Sequence, residues 1–212
     1  RWGESRDTDD AEGVVTGTSS TRPDEKAIRE VLPQFTGEIA QIPPNYSAIK
    51  VNGQRAYELA RAAENIDLEA RNILIESIEL AAVPDPNHAE FRVVSGKGAY
   101  MRGLARDIAI ATGTLGHVSY LRRTRFGPFS EDDAISLDKL SDLGHMAAAE
   151  EILRPVETVL DDIPALDLTD DEARRLKCGQ AISALRVARR TPLTDLNRGD
   201  TVFAVTKGKP VA

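Results

Sequence analysis

The segment SGKGAYMRGLARDIA, residues 95 to 109, combines residue types that bind anions. Its two glycines, Gly96 and Gly98, allow the backbone to approach a ligand closely. An apolar helical pattern begins directly afterwards, so a helix N-terminus would present unpaired N–H groups beside Arg102. The segment therefore predicts a site for an anion. Taken alone, it is equally compatible with a glycine turn followed by a solvated basic helix face.

Two nucleotide-binding motifs do not fit this segment. The phosphate loop G-x-x-x-x-G-K-[ST] needs a glycine where Phe91 stands and a hydroxyl where Gly98 stands. The dinucleotide fingerprint G-x-G-x-x-G needs its third glycine where Met101 stands. The anion is therefore neither of these nucleotide types.

Positive charge is concentrated in residues 95 to 127. The chain has a net charge of -7, but this window carries +5 and the remainder -12. Tyr100 and Tyr120 lie among the basic residues, a combination typical of phosphate contacts and stacking surfaces for unpaired RNA. An acidic interaction protein with surface arginines is the alternative. The basic side chains are Lys97, Arg102, Arg106, Arg122, Arg123 and Arg125.

The elements that position these residues follow from hydrophobic spacing. A proline, two acids and the spacing of apolar residues predict a helix over 23–32. The same kind of spacing predicts a second helix that begins at Met101 and carries Arg102 and Arg106, four residues apart, on one side. Residues 72–80 and 88–94 predict an antiparallel strand pair. Residues 117–129 predict a strand in which Leu121, Arg123 and Arg125 share a face.

The segment QIPPNYSAIKVNGQRAYELAR, residues 41 to 61, predicts an extended loop, a strand over 46–51, a turn and a helix. Its loop carries Tyr46, Lys50 and Arg55. These side chains could press against a substrate, or the tyrosines could belong to the core, and the sequence leaves both readings open.

A second unit follows the break at DDIPAL. In LTDDEARRLKCGQ, Thr169 is an N-cap, Glu172 completes a capping box and Gly179 ends the helix. The last fourteen residues predict short strands around a KGK turn. A helix over 145–160 precedes the break, so we expect two domains, 1–160 and 163–212.

Several function classes are disfavoured by composition. One cysteine, Cys178, precludes an internal disulfide, and three scattered histidines lack metal-ligand spacing. No apolar run reaches the length of a membrane span, and no signal peptide is evident, so we expect a cytoplasmic protein without a membrane partner.

Four segments, in order, resemble the TruB family of bacterial pseudouridine synthases. The resemblance implies an α+β fold, in which part of a catalytic domain on an antiparallel mixed sheet precedes a small β-rich PUA-type RNA-binding domain. It implies isomerisation of uridine 55 in the T-loop of tRNA, without cofactor or metal, by a protein that we expect to be monomeric. The four segments are DTDDAEG, FTGEIAQIPPNYSAIKVNGQRAYELAR, SGKGAYMRGLARDIA and GHVSYLRRTRFGPF.

The resemblance also assigns roles to residues. Arg102 matches the arginine that pairs with the catalytic aspartate, while Tyr100 and Leu121 match positions that line the uridine pocket, and Lys97 joins them as a substrate-binding candidate. Asp107 and Arg106 look structural in the helix, although the charge window makes Arg106 an RNA-binding candidate as well. The candidates for RNA binding are Tyr46, Lys50, Arg55, Arg106, Arg122, Arg123 and Arg125.

One departure from the family pattern concerns the nucleophile. The family aspartate lies in a G-x-L-D-x-x-A-x-G segment upstream of DTDDAEG, and no part of the 212 residues fits it. A family tyrosine that stacks on the target base is absent as well. Asp7, Asp9 and Asp10 are expected to be solvated acids of a turn. We therefore expect RNA binding without turnover; a non-catalytic RNA-binding or RNA-folding module is the alternative.

Overall fold

The structure is a computed structural model that describes residues 1–51, 53–62, 64, 66–143, 152–160, 163–183, 186–187, 190 and 199–211. The chain divides into two compact units, Arg1–Leu121 and Arg122–Ala212.

The first unit contains seven strands and three helices within its described residues. β3, β6 and β7 form one antiparallel sheet, whereas β1 with β2 and β4 with β5 form two-stranded antiparallel ladders. The strands are β1 Glu4–Arg6, β2 Val15–Thr18, β3 Gly37–Gln41, β4 Lys50–Val51, β5 Gln54–Arg55, β6 Arg71–Asp85 and β7 His88–Ser95. The helices are α1 Glu25–Val31, α2 Ala56–Arg61 and α3 Met101–Ala111.

The core of the first unit lies between the three-stranded sheet and the helices α1 and α3. β6 buries alternate residues, and the pairing of β6 with β7 shifts register between Ile75 and Ser77, so the buried set moves from odd to even positions. Trp2 packs edge-on against Phe91 with ring centroids 6.3 Å apart. The central apolar residues are Ile28, Ile73, Ile75, Ile78, Leu80, Leu104 and Ile108.

The second unit is small and rich in short strands. β10 pairs in parallel with β11, and β11 pairs antiparallel with β12, over a core that includes Leu166, Leu168 and Val187. Its strands are β8 Arg125–Phe126, β9 Phe129–Ser130, β10 Ala165–Asp167, β11 Phe203–Thr206 and β12 Lys209–Pro210. The α-helices that the described residues of this unit delimit are α4 Leu137–Leu143 and α5 Asp170–Lys177.

Several predicted elements are confirmed. The α+β class agrees with the sheets and helices, the two central strands form an antiparallel pair, and α5 begins at the predicted capping box of Thr169 and Glu172. The first predicted helix forms over Glu25–Val31 and continues as a 3-10 turn through Leu32–Phe35, because proline is tolerated in a first turn.

Other predicted elements are wrong. Residues 117–124 form no strand, since Val118 makes only an isolated bridge to Asp10. The predicted run keeps β8 and the first residue of β9, which are joined by a turn where Gly127 has a φ of 56°. The strand expected over 46–51 shrinks to β4. Of the helix expected over 145–160, residues 145–151 lie outside the described residues, and Val156–Leu160 forms a 3-10 helix.

The predicted domain boundary near residues 160–163 differs from the division into compact units at Leu121 and Arg122, and it stays a prediction. None of the helices in the described ranges combines the length and apolar character that crossing a bilayer requires.

Candidate functional site

The site begins at the N-terminus of α3, where Tyr100 precedes the first helical residue. The Tyr100 N–H donates to Gln41 Oε1 at 2.9 Å, and Gln41 Nε2 donates to the Tyr100 carbonyl at 3.1 Å. Gln41 is 2% exposed. A side chain at Gly103 would place Cβ 3.3 Å from the Gln41 amide, so a glycine allows α3 to pack closely against the end of β3. This packing fixes Tyr100 at the start of the helix.

Arg102 joins three separate segments of the first unit. Its Nη1 donates to the Thr8 carbonyl at 2.7 Å and to Asp10 Oδ2 at 3.2 Å, and its Nη2 donates to the Tyr46 carbonyl at 2.9 Å. A guanidinium carries five N–H groups in a planar fork, and these contacts do not use Nε. Arg102 can therefore bind a further carboxylate or phosphate.

Arg106 makes a second set of contacts one helical turn later. Its Nη1 donates to Asp9 Oδ2 at 2.9 Å, its Nη2 to the Ile42 carbonyl at 2.6 Å and its Nε to Asp107 Oδ1 at 2.9 Å. Each side-chain nitrogen thus contacts a protein acceptor. The structural and the RNA-binding interpretations of Arg106 both stay predictions.

In the acidic turn, residues 7–10, Asp9 corrects the expectation that the aspartates are solvated, whereas Asp7 and Asp10 stay partly exposed. Asp9 is 8% exposed, has a φ of 58° and accepts the Val118 N–H at its carbonyl at 3.0 Å. Burial raises the pKa of the Asp9 carboxyl, although the neighbouring Arg106 opposes this rise. Asp10 binds the Thr8 hydroxyl at 2.7 Å as well as Arg102. Both carboxylates are therefore structural partners of α3.

The remaining candidates of the first unit lie nearer to solvent. Tyr46 reaches Asp7 Oδ2 with its hydroxyl at 3.5 Å, and the Arg55 side chain donates to the Ala48 carbonyl. Lys50 and Lys97 are exposed. Leu121, expected in the uridine pocket, is 60% exposed.

Three arginine candidates belong to the second unit and contact their own hairpin. Arg122 forms an ion pair with Glu131 at 2.6 Å, Arg123 stacks over the Phe126 ring at 5.4 Å, and Arg125 donates to the Gly127 carbonyl at 3.3 Å. Phe126 is 68% exposed. An exposed ring with a stacked guanidinium can bind a nucleic-acid base.

The structure thus brings Arg102, Arg106 and the Tyr46 backbone to the acidic turn, while Tyr100 is held by Gln41 at the start of α3. Sequence reasoning missed Gln41 and the pairing roles of Asp9 and Asp10. The sequence offered only two general signals, two arginines four residues apart and an acidic run, DTDD, at residues 7–10. Among the described residues, no group of three or more potential metal ligands occurs.

Family models match most of the chain. Residues 1–101 match the TruB family pseudouridylate synthase N-terminal domain, and residues 102–161 match the tRNA pseudouridylate synthase B C-terminal domain.

Curated relatives and solved structures agree with the family models. A protein of Rhodospirillum rubrum named tRNA pseudouridine synthase B is 56% identical over 211 residues, covering 100% of this chain and 68% of the relative. A protein of the same name from Gluconacetobacter diazotrophicus is 54% identical over 193 residues, covering 91% of this chain and 63% of the relative. A chain of a Cbf5-Nop10-Gar1 complex is 27% identical with a TM-score of 0.68, covering 88% of this chain and 54% of that one. The chain thus spans about two thirds of the curated relatives and about half of the solved one, and the α+β fold is confirmed.

Proposed function

Because the chain belongs to the TruB family of pseudouridylate synthases, we propose that it is part of a tRNA pseudouridine synthase that isomerises uridine 55 in the T-loop. The observation that carries this proposal is the 56% identity across the whole chain to a relative named tRNA pseudouridine synthase B. The α3 site supports it, because a partly exposed arginine is held there by three contacts.

The proposed reaction needs a carboxylate, which the family supplies from its G-x-L-D-x-x-A-x-G segment. Arg102 would pair with that carboxylate, orient it and keep it ionised, since a guanidinium favours the charged form of a nearby acid. The N1 glycosidic bond of uridine breaks, the base turns while it is held, C5 bonds to the sugar and loses its proton, and N1 gains a proton. Product and substrate are isomers, so the reaction balances without a cofactor.

RNA binding is assigned to the surfaces around this arginine. Tyr100, Leu121 and Lys97 would line the uridine pocket, after the base is flipped from the loop at a cost of a few kcal/mol. The T-stem-loop would contact Tyr46, Lys50 and Arg55 in the first unit. In the second unit it would contact Arg125 of β8 and the two arginines that precede this strand, Arg122 and Arg123. The strands of residues 163–212 would form the PUA-type domain, with residues 1–160 forming the catalytic part. A monomer in the cytoplasm, where tRNA is found, completes the proposal.

The 212 residues by themselves are proposed to bind tRNA without turnover. They carry no G-x-L-D-x-x-A-x-G segment, and the acids nearest to Arg102 are engaged in ion pairs. The lack of a G-x-L-D-x-x-A-x-G segment in these residues also favours a second candidate, a non-catalytic RNA-binding module.

The test compares two proteins on an unmodified tRNA transcript. One is the 212-residue chain; the other, the extended chain, carries in addition the family's aspartate segment from the Rhodospirillum rubrum relative. We expect both to bind, with log K falling against log salt by about 0.7 to 0.9 for each phosphate neutralised, and only the extended chain to form pseudouridine. Binding without pseudouridine in both supports the second candidate, and salt-independent binding refutes the assignment of an RNA ligand.

A further inference from the structure

The two arginines of α3 make parallel contacts one turn apart. Arg102 joins a carboxylate of the acidic turn, Asp10, to the backbone carbonyl of Tyr46, and Arg106 joins Asp9 to the backbone carbonyl of Ile42. Residues four apart lie side by side on a helix. Both therefore hold the acidic turn and the proline loop, residues 42–46, against the same face of α3.

The contacts of Arg106 with Asp9 and the Ile42 carbonyl form a bridge that stabilises Asp9, whose burial and backbone conformation are energetically unfavourable. Asp9 combines a buried carboxylate with a backbone φ of 58°, a conformation that is uncommon outside glycine although Asp and Asn tolerate it better than most residues. A buried carboxylate without a partner is strongly unfavourable. The ion pair at 2.9 Å supplies the partner, so the conformation of the turn depends on Arg106.

We propose that Arg106 is a positioning residue for the reaction: its bonds to Asp9 and the Ile42 carbonyl hold two segments that orient the Arg102 guanidinium. Arg102 takes all three of its partners from residues 8, 10 and 46, in or beside these segments. A shift of the turn or the loop would move Arg102. The link to catalysis rests on the proposed function, because that function places Arg102 at the reacting aspartate.

The first experiment measures amide hydrogen exchange in the 212-residue chain and needs no activity. Arg106→Gln should speed exchange of the Val118 amide, which donates to the Asp9 carbonyl, by about tenfold or more, because the turn loses its charge-assisted hydrogen bond. Arg29→Gln, which removes an exposed ion pair with Glu25, is the matched control and should leave Val118 unchanged. Equal Val118 exchange in the native chain and Arg106→Gln overturns the proposal.

A double substitution tests whether Asp9 and Arg106 act together. Asp9→Asn keeps an oxygen acceptor and suits the left-handed backbone conformation. Added to Arg106→Gln, it should produce little further loss of Val118 protection. Fully additive losses would show that the two side chains act independently and would refute the bridge.

The second experiment separates positioning from RNA contact in the extended chain. Arg106→Gln should lower kcat by up to about 100-fold, because a 1 Å misplacement can have that effect, while KM and tRNA affinity stay within twofold. Arg106→Lys, which keeps a charge for Asp9, should recover part of kcat. Unchanged kcat with weaker tRNA binding and a salt slope reduced by about 1 indicates a phosphate contact and overturns the proposal. If the extended chain is inactive with Arg106 in place, the proposed function fails, whereas hydrogen exchange still decides whether Arg106 holds the turn.

Discussion

Replacing Gln41 by leucine tests how the start of α3 is held. The substitution keeps the approximate volume and removes the amide that brackets Tyr100. The Tyr100 N–H would lose its acceptor at 2.9 Å, whereas the Tyr100 carbonyl would keep the Leu104 N–H at 2.9 Å. Losing the acceptor of a buried donor costs about 1–3 kcal/mol. Tyr100 is only partly buried, so we expect about 1.5 kcal/mol of lost unfolding free energy.

Urea unfolding followed by tryptophan fluorescence measures this loss. Trp2 is the single tryptophan of the chain and is 4% exposed in the core of the first unit, so its signal reports that unit. With an m-value of about 1.5 kcal/mol/M, the midpoint should fall by about 1 M.

The matched control is Gln34→Leu, in the exposed part of the 3-10 turn after α1. Surface substitutions change the unfolding free energy by less than about 0.5 kcal/mol, so its midpoint should stay close to that of the native chain. Equal midpoints for Gln41→Leu and Gln34→Leu would refute the bracketing role of Gln41.

Three further predictions concern activity, helix capping and pH. Arg102→Ala in the extended chain should abolish pseudouridine formation and leave tRNA binding mostly intact, as measured by turnover and titration; full activity would remove its assigned role. Thr169→Ala should lower the unfolding free energy of the second unit by about 1 kcal/mol through the loss of the α5 capping box, measured by circular dichroism in urea. Burial lowers the pKa of His117, so its contribution to stability is present above the unfolded pKa and is lost as pH falls through the folded pKa. The native chain should therefore lose more unfolding free energy than His117→Gln as the pH falls from 7 to 5, and parallel pH profiles would contradict this.

Elements defined by local chemistry were predictable from the sequence. The capping box of Thr169 and Glu172 joins residues three apart, and the strand pair β6 and β7 is joined by a short turn. The strand expected over 117–129 failed because alternation of side chains does not supply a pairing partner. Val118 instead bonds to Asp9, more than a hundred residues away.

The sequence indicated which basic residues of α3 belong to the site, but not which residues they contact. Helical spacing placed Arg102 and Arg106 on one side of α3, as observed. Their partners in the acidic turn lie more than ninety residues earlier in the chain, and no periodicity indicates such pairs. The same limit hid Gln41, a polar residue whose burial is explained by the backbone of Tyr100.

The most direct test of the proposed function is a site-resolved pseudouridine assay with the extended chain. The substrate is an unmodified tRNA transcript with uridine at position 55, and a transcript with cytidine there is the control. We expect pseudouridine at that position in the first transcript and none in the control. Pseudouridine only at other positions, or none in a folded extended chain that binds the transcript, would contradict the proposed function.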